Sequence, residues 1–329
     1  MSDLAIAAQG LVRNFDGKRA VDGVDLAVRR GEIYGFLGPN GAGKSTTVRM
    51  LCTLLLPTDG TATVAGHDIV DRPEEVRVRI GVALQDAALD DKQSGREILD
   101  LQARLYGLSA ADRADRIERA MALADIGDAI DEWVGTYSGG MKRRLDLAAS
   151  LIHDPEVVFL DEPTTGLDPV SRASVWDEVR RLNRDLGVTV FLTTQYLEEA
   201  DELADRVGII DHGRIVQEGT PAELKRAVGS DVIVVEVPRN IELAASVVRK
   251  VDGVGDVTEG RRGVTIGAAN GAALVADVAV ALSGAGIEVD ALTVRTPSLD
   301  DVFLQATGYR MEAAAEDAEP DDDAEEVVR

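Results

Sequence analysis

The fold of this chain is decided by residues 33–46, IYGFLGPNGAGKST. A short apolar run leads into the pattern G-x-x-x-x-G-K-[ST], and a helical stretch follows it. In such a strand, loop and helix, the glycines let backbone N–H groups surround phosphate oxygens, and the helix directs its positive end at them. The pattern predicts a phosphate-binding loop made of Gly38, Pro39, Asn40, Gly41, Ala42, Gly43, Lys44, Ser45 and Thr46.

Other short apolar runs suggest the sheet around this loop. They are continuous rather than alternating, which indicates strands buried on both faces, as in a parallel α/β sheet. These runs are residues 80–84, 157–160, 188–194 and 207–210. Two earlier stretches, 4–15 and 24–30, alternate better and are predicted to form a more exposed antiparallel layer.

The sequence divides into three regions. Residues 1–228 carry the strand pattern, interrupted at about 95–151 by a helical insertion in which Ser109 and Asp112 resemble a capping box. Residues 229–309 read as β-α-β-β-α-β, the ferredoxin-like order, and end in a short helix. Residues 310–329 are acidic with almost no large apolar side chains, and we predict a disordered tail.

Composition narrows the class of protein. The chain has 329 residues with 45% apolar residues, one cysteine and a net charge of −24. Nucleic-acid binders are usually basic, because phosphate contacts supply much of their affinity, so we expect no nucleic-acid partner. No stretch approaches the roughly 18 apolar residues that span a bilayer.

Two carboxylates end a buried run in VVFLDEP. Asp161 is well placed to hold Mg²⁺ together with the Ser45 hydroxyl, and Glu162 to orient or deprotonate an attacking water. Lys44 is predicted to reach the β- and γ-phosphates. The alternative for the acid pair is two solvated turn residues. With the phosphate loop, the pair predicts a nucleotide-hydrolysing P-loop enzyme.

The series of motifs resembles the ATP-binding-cassette (ABC) ATPases. Their signature loop is usually L-S-G-G-Q, and here YSGGM, residues 137–141, opens a long amphipathic helix. The series is in register through most of residues 3–225, so the resemblance implies an α/β ABC ATPase fold with an inserted helical subdomain. The small C-terminal α+β domain follows it.

The resemblance implies several further site residues. Each ATP would lie between the phosphate loop of one chain and Ser138, Gly139 and Gly140 of a second ABC subunit, most simply a second copy of this chain. Asp168 matches the loop that crosses this interface. Phe15 matches the aromatic that stacks on adenine, with a core phenylalanine as the alternative. Gln85 matches a glutamine that touches Mg²⁺, with a strand-end cap as the alternative.

Gln195 stands where most ABC ATPases have a histidine that contacts the γ-phosphate. It follows the apolar run 188–194, about 33 residues after Glu162. Its amide can donate a hydrogen bond to a phosphate oxygen but cannot carry a proton as imidazole does. We expect a γ-phosphate contact, and the alternative is a helix-entry residue that faces water.

A narrower resemblance concerns the function. TTQYLEEAD and the closing TPSLDDVFLQATG look like the ATP-binding subunits of daunorubicin/doxorubicin-resistance exporters. This implies an ATPase that works with a separate transmembrane permease at the cytoplasmic face of the membrane and exports a hydrophobic drug or lipid-like compound. The alternatives are an importer ATPase and a soluble ABC ATPase without a transport role.

Overall fold

A computed structural model describes residues 3–84, 89–228 and 231–308. Gln85 lies outside these described residues, and so does the acidic stretch 310–329.

The central sheet contains the predicted apolar runs. Its six strands have the order β10-β9-β3-β8-β7-β6, parallel except for the antiparallel β10. The strands are β3 (Ile33–Leu37), β6 (Ile80–Ala83), β7 (Val157–Asp161), β8 (Thr189–Thr194), β9 (Arg206–Asp211) and β10 (Arg214–Gly219). Every residue of β3, β7 and β8 is buried, so the prediction of strands covered on both faces is confirmed.

A second, antiparallel sheet covers one face of the first, as predicted. It has the order β2-β1-β4-β5, formed by β1 (Leu4–Phe15), β2 (Lys18–Arg29), β4 (Asp59–Val64) and β5 (His67–Asp68). One hydrophobic cluster joins helix α1 (Lys44–Leu51) to both sheets. It contains Val48 of α1, Ile6 of β1 and Phe36 of β3. The short helix α2 (Pro73–Arg77) precedes β6.

The helical insertion has a hydrophobic cluster of its own, which includes Leu99 and Leu145. Its helices are α3 (Gly95–Leu105), α4 (Ala110–Ala124) and α5 (Gly139–Ser150). Only one half of the capping box predicted at Ser109 forms. The Ser109 hydroxyl accepts from the Asp112 N–H, as predicted. The Asp112 carboxylate accepts from that same hydroxyl rather than from the Ser109 backbone N–H. A reciprocal capping box caps α3 instead, between Ser94 and Glu97.

Three helices follow β7, β8 and β10. They are α6 (Pro169–Leu186), α7 (Leu197–Leu203) and α8 (Pro221–Val228). Val179 and Leu182 of α6 pack on the sheet through Val158 and Val190, on the face opposite Phe159 and Phe191. The candidate site lies at the carboxyl ends of β3, β7 and β8, where the phosphate loop, the pair Asp161 and Glu162, and Gln195 follow these strands.

The C-terminal region has the predicted element order. It contains β11 (Asp231–Glu236), α9 (Ile241–Val248), β12 (Val254–Gly260), β13 (Gly263–Ala268), α10 (Gly271–Gly284) and β14 (Ala291–Arg295). The strands pair antiparallel in the order β12-β13-β11-β14. Ile233 and Val235 pack on α9 and α10, through residues such as Ala244 and Val278.

The final helix, α11 (Leu299–Thr307), packs against the N-terminal region. Its fully buried Phe303 shares a cluster with Leu37 of β3 and Leu224 of α8. Val232, on the opposite face of β11 from Ile233, belongs to the same cluster. The two regions therefore share a core, and the division at residue 228 stays a prediction.

Candidate functional site

The phosphate loop occupies the gap between β3 and α1. Gly43 stands at the N-cap of α1 with φ 111°, a left-handed conformation that glycine adopts without steric cost. A Cβ on Gly43 would lie 2.5 Å from the Ala20 carbonyl oxygen, and one on Gly38 would lie 2.4 Å from the Ile210 carbonyl oxygen. Only glycine fits at these two positions, so the loop passes very close to neighbouring backbone.

Lys44, the first residue of α1, points back into the loop. Its Nζ donates to the carbonyl oxygens of Gly38 at 2.8 Å and Pro39 at 3.2 Å, and it lies 3.2 Å from Glu162 Oε1. Burial lowers the pKa of Lys44, and the Glu162 carboxylate opposes this shift. A buried ammonium group held by carbonyls and one carboxylate can move to phosphate oxygens at little cost, because its charge is already desolvated.

The two carboxylates at the end of β7 contact the loop directly. Asp161 Oδ1 accepts hydrogen bonds from Ser45 Oγ at 3.2 Å and from the Thr193 hydroxyl. Glu162 has φ 48°, which is left-handed and uncommon for a residue with a side chain. Its N–H donates to both oxygens of Thr193, at 3.1 Å each. Loop and acid pair thus form one site.

These oxygens suit magnesium. Mg²⁺ prefers oxygen ligands, keeps several waters, and binds through one or two protein groups together with substrate phosphates. Ser45 Oγ and Asp161 Oδ1 provide such a pair at 3.2 Å from one another. Within residues 3–84, 89–228 and 231–308, no three His, Cys, Asp or Glu side chains cluster as a metal site, so a cage made by the protein alone is absent from this part of the chain.

Gln195 lies at the same edge of the sheet. It follows β8, in which Thr194 pairs with Leu37 of β3 and Thr193 pairs with Asp161 of β7. The side chain is half-buried. It makes no hydrogen bond to any residue in the described part of the chain, so its amide is available to a ligand.

Phe15 ends β1 and is 42% exposed, so it is not a core phenylalanine. The Arg13 guanidinium carbon lies 4.5 Å from the centre of its ring and covers one face. An exposed ring suits stacking on a base, and its role in binding adenine stays a prediction.

The signature residues lie apart from the phosphate loop. Ser138 caps α5 by accepting from the Met141 N–H, and Gly139 and Gly140 form the first turn. Ser138 and Gly139 are exposed. No hydrogen bond or ion pair joins residues 138–140 to residues 38–46 among the described residues. This serine-glycine turn is therefore open to a group from outside the chain.

Asp168 caps the neighbouring helix, α6. Its carboxylate accepts from the N–H groups of Val170 and Ser171 and from the Ser171 hydroxyl, and these bonds, the hydroxyl first, lower its pKa. A Cβ on Gly140 would lie 3.2 Å from Ser171 Oγ, so the two helix N-termini are adjacent. Ser138 and Asp168, the two capping residues, are both exposed.

Sequence reasoning missed three side chains that support this site. Thr193 binds Asp161 and the Glu162 backbone, and the threonine pair that ends β8 was its only signal. Glu199 of α7 is fully buried, accepts from Thr164 and Trp176, and has its pKa raised by burial. Arg143 of α5 is also buried, although its neighbours in MKRRLD are typical of a solvated helix.

Phosphate loop, acid pair and signature turn together define an ATP-hydrolysing protein of the P-loop class. Residues 21–165 match the family profile described as ABC transporter, and residues 219–307 match the one described as ATP-binding protein DrrA1-3-like, C-terminal domain. The chain belongs to the family of ABC ATP-binding proteins that includes the DrrA drug-resistance proteins, and it is an ABC ATPase.

Individual relatives match over nearly their full length. Daunorubicin resistance ATP-binding protein DrrA3 of Streptomyces coeruleorubidus is 48% identical over 94% of this chain and 97% of its own. Nod factor export ATP-binding protein I of Rhizobium sp. (strain N33) is 39% identical over 95% of this chain and 100% of its own.

The fold prediction is confirmed by solved structures. CbiO1 from Clostridium perfringens, part of the ABC transporter complex CbiONQ, superposes with a TM-score of 0.64 at 27% identity, over 69% of this chain and 94% of that one. No helix in the described part of this chain has the length and apolarity needed to cross a bilayer.

Proposed function

We propose that this chain is the ATP-hydrolysing motor of an exporter, bound to a separate transmembrane permease at the cytoplasmic face of a membrane. The observation that carries the proposal is the match to drug-resistance and export ATP-binding proteins along almost the whole chain, C-terminal region included. A hydrophobic drug or a lipid-like compound is the cargo class that we propose. An importer ATPase and a non-transport ATPase are the alternatives.

The site residues divide the work on ATP. Lys44 and the loop backbone hold the β- and γ-phosphates, and Phe15 stacks on the adenine. A magnesium ion held by Ser45, Asp161 and Gln85 would neutralise phosphate charge. Glu162 orients the attacking water and accepts its proton, while the Gln195 amide donates to the γ-phosphate.

A second copy of this chain completes each site. Its exposed Ser138 cap, with Gly139 and Gly140, presents backbone N–H groups and a helix N-terminus that suit the γ-phosphate. Asp168 lies at the same surface and contacts the opposite chain. The support is that, among the described residues, no hydrogen bond or ion pair joins residues 138–140 to the phosphate loop of the same chain.

We infer that the permease binds a surface between α1 and the helical insertion. A cleft of about 380 Å³ is lined by Leu54, Tyr106 and the carboxyl of Asp146 among others. Leu54 is 59% exposed. Val78 and Leu105, which adjoin the lining residues Arg77 and Tyr106 in sequence, are exposed too. Exposed apolar side chains around a cleft mark an interaction site, and we propose that the permease occupies it.

Affinity purification of the full chain from detergent-solubilised native membranes tests the function. We expect a polytopic membrane protein in near-equal amount. Leu54→Asp should lower its recovery at least about tenfold, because an apolar contact is replaced by a charge that must be desolvated. Leu186→Asp is the matched control: Leu186 is 64% exposed at the end of α6, and its variant should recover the permease normally. Recovery of soluble proteins alone would contradict the exporter proposal.

A further inference from the structure

One buried guanidinium, that of Arg143, touches three parts of the site. Arg143 lies in α5, five residues after Ser138, and is 8% exposed. Its Nε donates to the Pro163 carbonyl oxygen at 3.0 Å, and its other nitrogens donate to the carbonyl oxygens of Leu84 at 2.6 Å and Asp161 at 3.3 Å. Asp146 Oδ2 lies 3.3 Å away and provides the opposite charge.

Two of these acceptors stand on either side of Glu162. The carbonyls of Asp161 and Pro163 flank a residue whose φ of 48° is left-handed. A side-chain-bearing residue keeps such a conformation only where its surroundings hold it there, at a cost of order 1–3 kcal/mol. The planar, rigid fork of arginine is suited to hold both carbonyls at once. Arg143 therefore fixes the turn that aims the Glu162 carboxylate.

The same side chain belongs to the helix that begins at the signature turn. Five residues of α-helix separate Ser138 from Arg143, about 7.5 Å along the axis. The signature turn and the guanidinium therefore belong to one continuous helix, α5. The third acceptor is the carbonyl oxygen of Leu84, the residue that directly follows β6.

We infer that Arg143 is a positioning residue for ATP hydrolysis: it ties the signature helix α5 to the backbone on both sides of Glu162. The inference rests on the proposed role of Glu162 as the group that acts on water, and Arg143 acts through the backbone on both sides of that residue. In the proposed dimer, the N-terminus of α5 contacts the ATP of the opposite chain, while Arg143 positions Glu162 of its own chain. The two sites are thus linked through one side chain.

Replacing Arg143 with lysine tests this inference. One ammonium group cannot occupy three carbonyls with the geometry of a guanidinium. We expect kcat to fall about 10- to 100-fold, the scale of a displacement of about 1 Å at a reacting group. KM for ATP and the affinity for a fluorescent ATP analogue should change less than about threefold, because the phosphate loop is untouched.

Arg144→Lys is the matched control. Arg144 is the next residue of the same helix, and within the described residues its guanidinium makes one hydrogen bond, to the Asp125 carbonyl oxygen at 2.9 Å. Lysine can replace a single bond, so this variant should keep kcat within about twofold. Equal kcat values for the two lysine variants would overturn the inference.

A double variant separates positioning from general damage to the fold. In a Glu162→Gln background, Arg143→Lys should leave the residual rate unchanged, because the group that it positions is already disabled. A further drop by the factor seen in the wild-type background would overturn the inference. If Arg143→Lys does not fold, Arg143→Gln combined with Asp146→Asn replaces it with the same expectations, since the pair removes both buried charges together and keeps two N–H donors at position 143.

The outcome also separates this inference from the proposed function. An Arg143→Lys variant with the wild-type kcat, beside an inactive Glu162→Gln, would overturn only the positioning role. Retained turnover in Glu162→Gln alone would contradict the proposed role of Glu162 and remove the basis of both.

Discussion

Glu162→Gln should lower the rate of ATP hydrolysis by about 10²- to 10⁴-fold, the contribution expected of a positioned general base. Glutamine has the shape of glutamate and can occupy the same left-handed turn, whose N–H remains bound to Thr193. It cannot accept a proton from water. The phosphate loop and Lys44 are unchanged in this variant, so ATP should still bind.

Steady-state phosphate release and equilibrium binding of a fluorescent ATP analogue measure the two halves of this expectation. Glu198→Gln is the control, because Glu198 is an exposed acid in the first turn of α7 and lies outside the site. Its variant should hydrolyse ATP at the wild-type rate. Retained turnover in Glu162→Gln would remove Glu162 as the group that acts on water.

Gln195→Ala should slow hydrolysis by about 10- to 1000-fold, the scale of losing one contact to the transition state. The Gln195 amide makes no hydrogen bond within the described part of the chain, so its removal should cost the fold little. ATP affinity should change far less than kcat, because Lys44 and the loop backbone hold the phosphates in the ground state.

The matched control is Gln217→Ala, which removes another half-buried glutamine from the edge strand β10. This variant should keep the wild-type kcat. If Gln195→Ala also kept it, Gln195 would be a helix-entry residue without a role in the reaction, as the simpler interpretation of the sequence has it.

The features that the sequence predicts well are local. The phosphate loop depends on glycines and one lysine within nine residues, and the apolar runs at β3, β7 and β8 identify their strands by themselves. Because parallel strands end at one edge, the motifs that follow them were expected to meet, and Ser45 and Asp161 do. These local patterns are therefore sufficient to predict the fold class.

What the sequence did not indicate depends on long-range packing. Arg143 sits in a basic, polar stretch and yet is buried, because β6 and β7 end beside α5 and present three carbonyls to it. Glu199 looks like its exposed neighbour Glu198, but α6 covers it through Trp176. The sequence predicts the closing helix α11, but it does not predict that Phe303 packs this helix against Leu37 of β3. Helical periodicity identifies an apolar face, but not the surface on which it packs.

In the proposed dimer, one chain supplies the phosphate loop of each ATP site and the other chain supplies the signature turn. The direct measurement is the size of Glu162→Gln in solution, by light scattering, with Mg²⁺ and ATP and without them. We expect a particle of two chains that holds two ATP molecules when nucleotide is present, and Ser138→Arg in the same background should prevent its formation by filling the exposed turn. A single chain that binds ATP tightly and never pairs would show that the signature turn of a second chain is not part of the site.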